Sequence, residues 1–446
     1  MIKRIRTYLA GGGLGPLLLK AVTGSAGLRL AGMGFGFLVG VQLARGLGVT
    51  GYGTYGFAMS LIALLMVPAE FGLPQLLVRE TAASASRGEW GKVAGLLIWS
   101  RKVSLVSWLI ISAAVVLALA VGAEHIDRDL AFALLIGLAI VPFVAIGKTR
   151  AAVLRGLSHV VKGQLPDTLI RPGIHSALLL VAMILAIPLT PGFAMALGVI
   201  GAGSAMLLAV YMLRRALPAA ARTAEPQTNS NAWRSSCLPM AMTEAMRILQ
   251  AHSAVIMLGI LATSSSVGVF KVAVAISVVV ALPTSVLITA IAPSISSLYV
   301  KDDHARLQKL LTWASITMVA GVTLLAMPFI LVAQNLISAV FGDGFADAAP
   351  PLQVLCLGAI ATATSGTAGT LLNMTGHERL VRRASIESLF LLIVTMPVLI
   401  LLAGATGAAI ATVAAGLLWR FRMAHDCRRV LGLEPGLLPL LLPGGK

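Results

Sequence analysis

The stretch "AMTEAMRILQAHS", Ala241 to Ser253, decides what kind of fold this chain can have. By itself it is a helix carrying Glu244, Arg247 and His252 among apolar residues. Its neighbours on both sides are the kind of residue that belongs in lipid. Residues 236–262 together have the length that crosses a hydrocarbon core of about 30 Å. The carboxylate and the guanidinium then lie close to mid-membrane and need a reason to be there.

The whole chain supports a membrane setting. It has 446 residues, 58% hydrophobic and only 11% charged, with a mean hydropathy of +0.93. Soluble domains carry roughly 25% charged residues, so most of this chain must be dissolved in something apolar. Cys237, Cys356 and Cys427 are far apart and form no metal or disulfide pattern. The basic start "MIKRIRTYLAGGGLG" is too rich in glycine, and lacks a convincing cleavage site, to read as a removed signal.

Twelve spans are predicted: 20–45, 53–78, 94–122, 130–154, 165–188, 192–213, 236–262, 266–298, 308–332, 351–373, 384–403 and 405–422. Loops after even spans are basic, as in "YVKDDHARLQK" and "HERLVRR"; those after odd spans are short or acidic, as in "GAEHIDRDL". Assigning tails and even loops to one side collects every Lys and Arg except Lys20, Arg29, Arg45, Arg128, Arg171, Arg247 and Lys271. The positive-inside rule places both termini in the cytoplasm. It also accounts for the net charge of +17 without nucleic acid, because the charge is spread over many short loops.

The longest polar stretch, from Arg214 to Arg234, divides the chain near its middle. The predicted organisation is an inner tail (1–19), a six-span lobe (20–215), an inner linker (216–235), a second six-span lobe (236–422) and an inner tail (423–446). The halves look related. A shift of 215 residues lays Gly53, Tyr55 and Pro68 over Gly268, Phe270 and Pro283; a shift of 220 lays Lys162 over Arg382 and Asp167 over Glu387. Six spans return the chain to its starting side, so the halves are parallel repeats, an architecture that places a site between them. The fold class is all-α and polytopic, with two six-helix pseudo-repeat lobes.

A charge at mid-membrane costs about 2.5–3.5 kcal/mol on insertion scales and usually faces a bundle interior or a wet cavity. Glu244 and Arg247 share one helix face. Asp167, Arg171 and His175 form a polar stripe broken by Pro172, and Arg29, Glu70 and Lys271 sit in other spans. Each has a plainer reading: Glu244–Arg247 as a self-neutralising pair, Asp167 and Lys271 as snorkelling side chains, the histidines as packed polar groups. As a set, however, the cations predominate, and arginine suits bidentate contact with phosphate. The glycines Gly32, Gly36 and Gly40 have small-residue packing spacing.

Other signals fail. "GKT" at 147–149 lacks the first glycine of a phosphate loop, since residue 142 is Pro142. "DRD" at 127–129 resembles a metal-binding motif but lies in a short outside loop. No nucleophile or zinc signature appears.

Residues 43–82, "LARGLGVTGYGTYGFAMSLIALLMVPAEFGLPQLLVRETA", resemble the second-span region of the polysaccharide and O-antigen flippases, a branch of the multidrug/oligosaccharidyl-lipid/polysaccharide (MOP) exporter superfamily. "GHERLVRRASIESL" and "GATGAAIATVAAGLLW" resemble that family's last two spans. The resemblance implies a V-shaped bundle that moves undecaprenyl-pyrophosphate-type lipid-linked oligosaccharides from the cytoplasmic to the periplasmic leaflet of the bacterial inner (plasma) membrane, with no cofactor. It implies a cationic cavity lined by spans 1, 2, 7 and 8, which Arg29, Glu70, Arg247 and Lys271 fit, with Arg171 as a further phosphate contact. Glu70, Glu244 or Asp167 would couple transport to H+ or Na+, or orient an arginine. Polymerase or assembly proteins would dock on the basic loops. Two rivals remain: an ion-coupled multidrug antiporter of the same superfamily, which should have a net acidic cavity, and a membrane-embedded polymerase or ligase, which should have a large outer loop with catalytic Arg or His.

Overall fold

The computed structural model describes residues 14–124 and 126–437, with side chains from residue 24 onward. Most of the expected tail at 1–19 and the last nine residues lie outside the described part. Among the described residues every regular element is helical. A chain this apolar can satisfy its backbone in lipid only through helices or a closed barrel.

Ten helical segments are long and apolar enough to cross a membrane. Two are kinked pairs. Helix α1 (Leu14–Glu70) turns at Gly48, whose φ of 66° and ψ of −177° are open essentially only to glycine. The last long helix (Glu378–Leu431) breaks at Ala403 and Gly404. Counted as pairs, they bring the crossings to the twelve that the sequence predicts.

After α1 come α2 (Leu73–Ser86), α3 (Trp90–Val121), α4 (Arg128–Gly137) and α5 (Ile140–Gly156). Span 5 is not one regular helix: α6 (Val160–Leu165) passes through a π-helical turn, Pro166–Ile170, into α7 (Arg171–Ile184). Pro172 has no N–H to donate to Thr168, four residues back, and its ring crowds that carbonyl. The turn widens instead, and the Arg171 N–H bonds to the Pro166 carbonyl. Helix α8 (Pro191–Ala216) follows, then a short α9 (Ala219–Thr223) and α10 (Ser230–Leu261).

Span 8 is α11 (Ser264–Val280) meeting α12 (Leu282–Val300) at Pro283. Next come α13 (His304–Leu331), α14 (Ala333–Phe341), α15 (Ala349–Thr364), α16 (Ala368–Met374) and α17 (Glu378–Leu431).

By contacts the chain divides into two compact units: residues 1–47 with 57–252, and 48–56 with 253–446. The first unit's core includes Leu73, Leu76, Leu96, Trp99, Leu154 and Trp233. The second's includes Ile295, Leu311, Leu371, Met423 and Cys427. In the second unit the repeat-related Gly53 and Gly268 lie back to back. A Cβ on Gly53 would fall 1.7 Å from the Ser264 carbonyl oxygen, and one on Gly268 would fall 2.2 Å from that of Val49. Ser264 is Val49 displaced by the same 215 residues, so the contact is symmetric under the sequence repeat.

Candidate functional site

Three elements of the first unit set charged side chains around a common space. Helix α1 ends at Glu70, and the chain then turns through Phe71 and Gly72, both at positive φ, before α2 begins with Pro74 near its start. This leaves Glu70 buried. Helix α5 brings Lys148 to it: Lys148 Nζ donates to Glu70 Oε1 at 2.7 Å. Lys148, Ala151 and Arg155 follow one another on a single face of α5 and line a cavity of about 460 Å³. Glu244 of α10 and Gln164, Asp167 and Thr168 of span 5 complete its wall.

Asp167 and Thr168 also line a second cavity, of about 310 Å³, with Arg29, Gly32, Met33, Arg171 and Pro172. The widened turn at Pro166–Ile170 thus contributes residues to both spaces. Gly32 is required there: a Cβ would lie 2.5 Å from the Thr168 carbonyl oxygen, whereas one on Gly36 would meet nothing within 4 Å. Of the small residues spaced along span 1, Gly32 therefore marks a close approach and Gly36 does not.

The carboxylates lining these cavities are all engaged. Glu70 holds Lys148, Asp167 accepts from Arg171 Nη1 at 2.9 Å, and Glu244 is gripped by Arg247 through Nε at 3.0 Å and through Nη2. The larger cavity has three carboxylates to two cations; the smaller has two arginines to one carboxylate. Spare donor capacity lies on the basic side. Arg155 Nε is buried with no hydrogen-bond partner, and Arg29 is exposed. A buried unpaired donor costs about 1–3 kcal/mol, more for a charged group, which an anionic ligand would relieve.

The structure therefore brings Arg29, Asp167 and Arg171 together around one cavity, and Glu70, Asp167 and Glu244 around the other. Arg247 is exposed and spends its guanidinium on Glu244. Lys271 belongs to the second unit, where its stem lies on Gly56: a Cβ there would fall 2.1 Å from Lys271 Cδ. Gly56 and Lys271 are again 215 residues apart, so the lysine of one repeat uses the space left by the glycine of the other. Lys148 and Arg155 are absent from the sequence-derived set. Lys148 was masked by the failed "GKT" motif and Arg155 by the basic inner loop it borders. Their seven-residue spacing on one helix face is the signal that finds them. Among the described residues no group of three His, Cys, Asp or Glu could hold a metal, and Cys237, Cys356 and Cys427 are buried free thiols.

Residues 18–299 match the family described as polysaccharide biosynthesis protein. No curated protein matches the chain in sequence. Among solved structures, the lipid II flippase MurJ in an inward closed conformation is 13% identical, with a TM-score of 0.71, covering 92% of this chain and 87% of that one. An inward-facing multidrug-resistance MATE family transporter of the MOP superfamily is 12% identical, with a TM-score of 0.68 and coverage of 89% and 94%. A MOP superfamily transporter from Pyrococcus furiosus is 14% identical, with a TM-score of 0.63 and coverage of 93% and 96%. At such identities the likeness is one of fold, and all three are named as transporters or flippases rather than enzymes. The chain belongs to the polysaccharide biosynthesis protein family and is a multi-pass membrane protein with the fold of the MOP exporters.

Proposed function

We propose that this protein flips polyprenyl-pyrophosphate-linked oligosaccharides from the cytoplasmic to the periplasmic leaflet of a bacterial inner membrane, both termini lying in the cytoplasm. The observation that carries the reading is the cavity that sets Arg29 beside Arg171 and shares Asp167 with the space holding Lys148 and Arg155. Family membership and the flippase among the fold relatives support it. The pyrophosphate would engage Arg29 and Arg171 first, with Arg155 offering its unpaired donor. Asp167, which holds Arg171 now, would release it as the phosphate arrives. Glu70 with Lys148, and Glu244 with Arg247, are the pairs through which H+ or Na+ would act; Lys271 is a further phosphate contact.

A second reading, an ion-coupled multidrug antiporter, is favoured by the three carboxylates of the larger cavity. Their pairing with cations argues against it, since a cationic drug would have to displace a lysine or an arginine. Transbilayer movement in proteoliposomes separates the two. Arg29→Ala and Arg171→Ala should each slow oligosaccharide-lipid movement about tenfold or more, the worth of a charge-assisted hydrogen bond. Cationic dye transport with no oligosaccharide-lipid movement would instead establish the antiporter.

A further inference from the structure

Outside these cavities, the first unit has a groove of about 700 Å³ on its surface, between α3 and the start of α10. It is lined by apolar Ile98, Val103 and Val106, and by the cations Lys102 and Arg234. The groove is built rather than incidental. The mid-chain linker is strapped along α3: the Gln227 N–H donates to the Gly91 carbonyl at 2.9 Å. A Cβ on Gly95 would fall 2.0 Å from the Gln227 carbonyl oxygen. Trp99, in the groove wall, packs on buried Trp233 at 5.3 Å between ring centroids, which fixes the start of α10 and with it the neighbouring Arg234.

Depth along α3 shows what the groove faces. The helix ends at Val121, which is 82% exposed. A hydrocarbon core of about 30 Å takes roughly 20 helical residues. Measured back from Val121, this brings the opposite boundary to the level of Lys102. Ile98, Lys102 and Val106 stand four residues apart on one face, and both aliphatics are about half exposed. Lys102 therefore lies on the lipid-facing stripe, at the level of the phosphates, with Val106, Leu109 and Ile110 below it in the acyl region. Lys102 and Arg234 pair with no carboxylate among the described residues, in contrast with Lys92, which holds Glu89 nearby.

We infer that this groove binds an anionic phospholipid of the leaflet at the basic end of the protein. Lys102 and Arg234 hold its phosphate, the hydroxyls of Thr228 and Ser230 border the headgroup, and an acyl chain runs along Val103 and Val106. The site is independent of the transport reading. Because it bridges α3 and the linker into α10, an occupied groove ties that linker to the first unit.

Native mass spectrometry of the full chain, titrated separately with phosphatidylglycerol, phosphatidylcholine and undecaprenyl phosphate, tests this. Phosphatidylglycerol should be retained in preference to the other two. Lys102→Ala/Arg234→Ala should lower its retention about tenfold or more, since each basic residue near a membrane surface contributes about one factor of five. The charge-keeping Lys102→Arg/Arg234→Lys should restore retention, which separates loss of the site from loss of fold, and Arg379→Ala/Arg382→Ala in the second unit should leave it unchanged. Equal retention of phosphatidylcholine, or retention that ignores Lys102 and Arg234, overturns the proposal. So does a preference for undecaprenyl phosphate that the double alanine variant abolishes, which would give the groove to an isoprenoid lipid instead.

Discussion

The two halves of this chain are repeats of one another in sequence, yet they use equivalent positions differently. Glu70 of the first half is buried against Lys148. Its counterpart at a shift of 215 is Ser285, whose hydroxyl simply caps back onto Leu282, and Lys148 maps to alanine at either offset, Ala363 or Ala368. Asp167 shares Arg171 and borders two cavities. Its counterpart Glu387 has two arginines, Arg383 at 3.0 Å and Arg422 at 3.3 Å. Where the first half keeps charge around open space, the second neutralises it or does without. Duplication supplied the bundle; the divergence of a few interior positions made one half the polar one.

The sharpest way to break this contrast is to strand one member of the buried pair. Lys148→Ala leaves Glu70 without its cation and should cost about 3–5 kcal/mol of stability, seen as a lowered thermal midpoint in detergent. Adding Glu70→Gln should recover a large part of that loss. A Lys148→Ala variant as stable as wild type would show that the pair is not structural.

Next in size is a position in the second unit where backbone takes the place of charge. Gly366 has φ +64°, and a Cβ there would lie 1.8 Å from the Pro435 carbonyl oxygen. That carbonyl also accepts from the Thr367 N–H and from Ser315 Oγ, and the Glu434 N–H donates to Gln308 Oε1 at 2.9 Å. Gly366→Ala should expel the segment from Gly432 to Leu437 and cost at least about 1–3 kcal/mol from backbone strain alone, with new proteolysis near Glu434 as the readout. Unaltered protease resistance would contradict the packing.

A subtler comparison lies within span 1. Gly32→Ala must push α1 away from Thr168 and should impair both stability and transport. Gly36→Ala meets nothing and should be neutral or stabilising by up to about 1 kcal/mol through helix propensity. Equal effects of the two would mean that the spacing, rather than the contact, is what matters.

Smallest is Glu387→Gln. It removes one partly exposed acidic partner of two arginines and should shift stability by about 1 kcal/mol or less, while Asp167→Asn, equivalent in sequence, should alter transport.

Much of this was legible in the residues. Span number, the basic alternation of loops and the repeat follow from composition and spacing, because a bilayer enforces length and polarity over twenty residues at a time. The positions of Arg29, Glu70, Asp167 and Arg171 were visible for the same reason: a charge in an apolar span stands out. Pairing was not. Lys148 and Arg155 sit near the inner end of span 4, where basic residues are ordinary, and only the turn after Glu70 brings Lys148 against it. The π turn in span 5 also escapes a periodicity reading, since Pro166 and Pro172 look like simple kinks until the Arg171 N–H is seen to reach five residues back. Lys271 stood out as a charge, but its dependence on Gly56 needs the contact between repeats.

The central claim is that the transported headgroup is held by the charged positions of the first half. Its most direct test is photolabelling in proteoliposomes with a polyprenyl pyrophosphate that bears a diazirine next to the pyrophosphate, followed by peptide mapping. The account predicts labels on the peptides around Arg29 and around Gly163–Pro172, reduced in the Arg29→Ala/Arg171→Ala variant. Labelling confined to the second half, around Lys271 or Glu387, would contradict it.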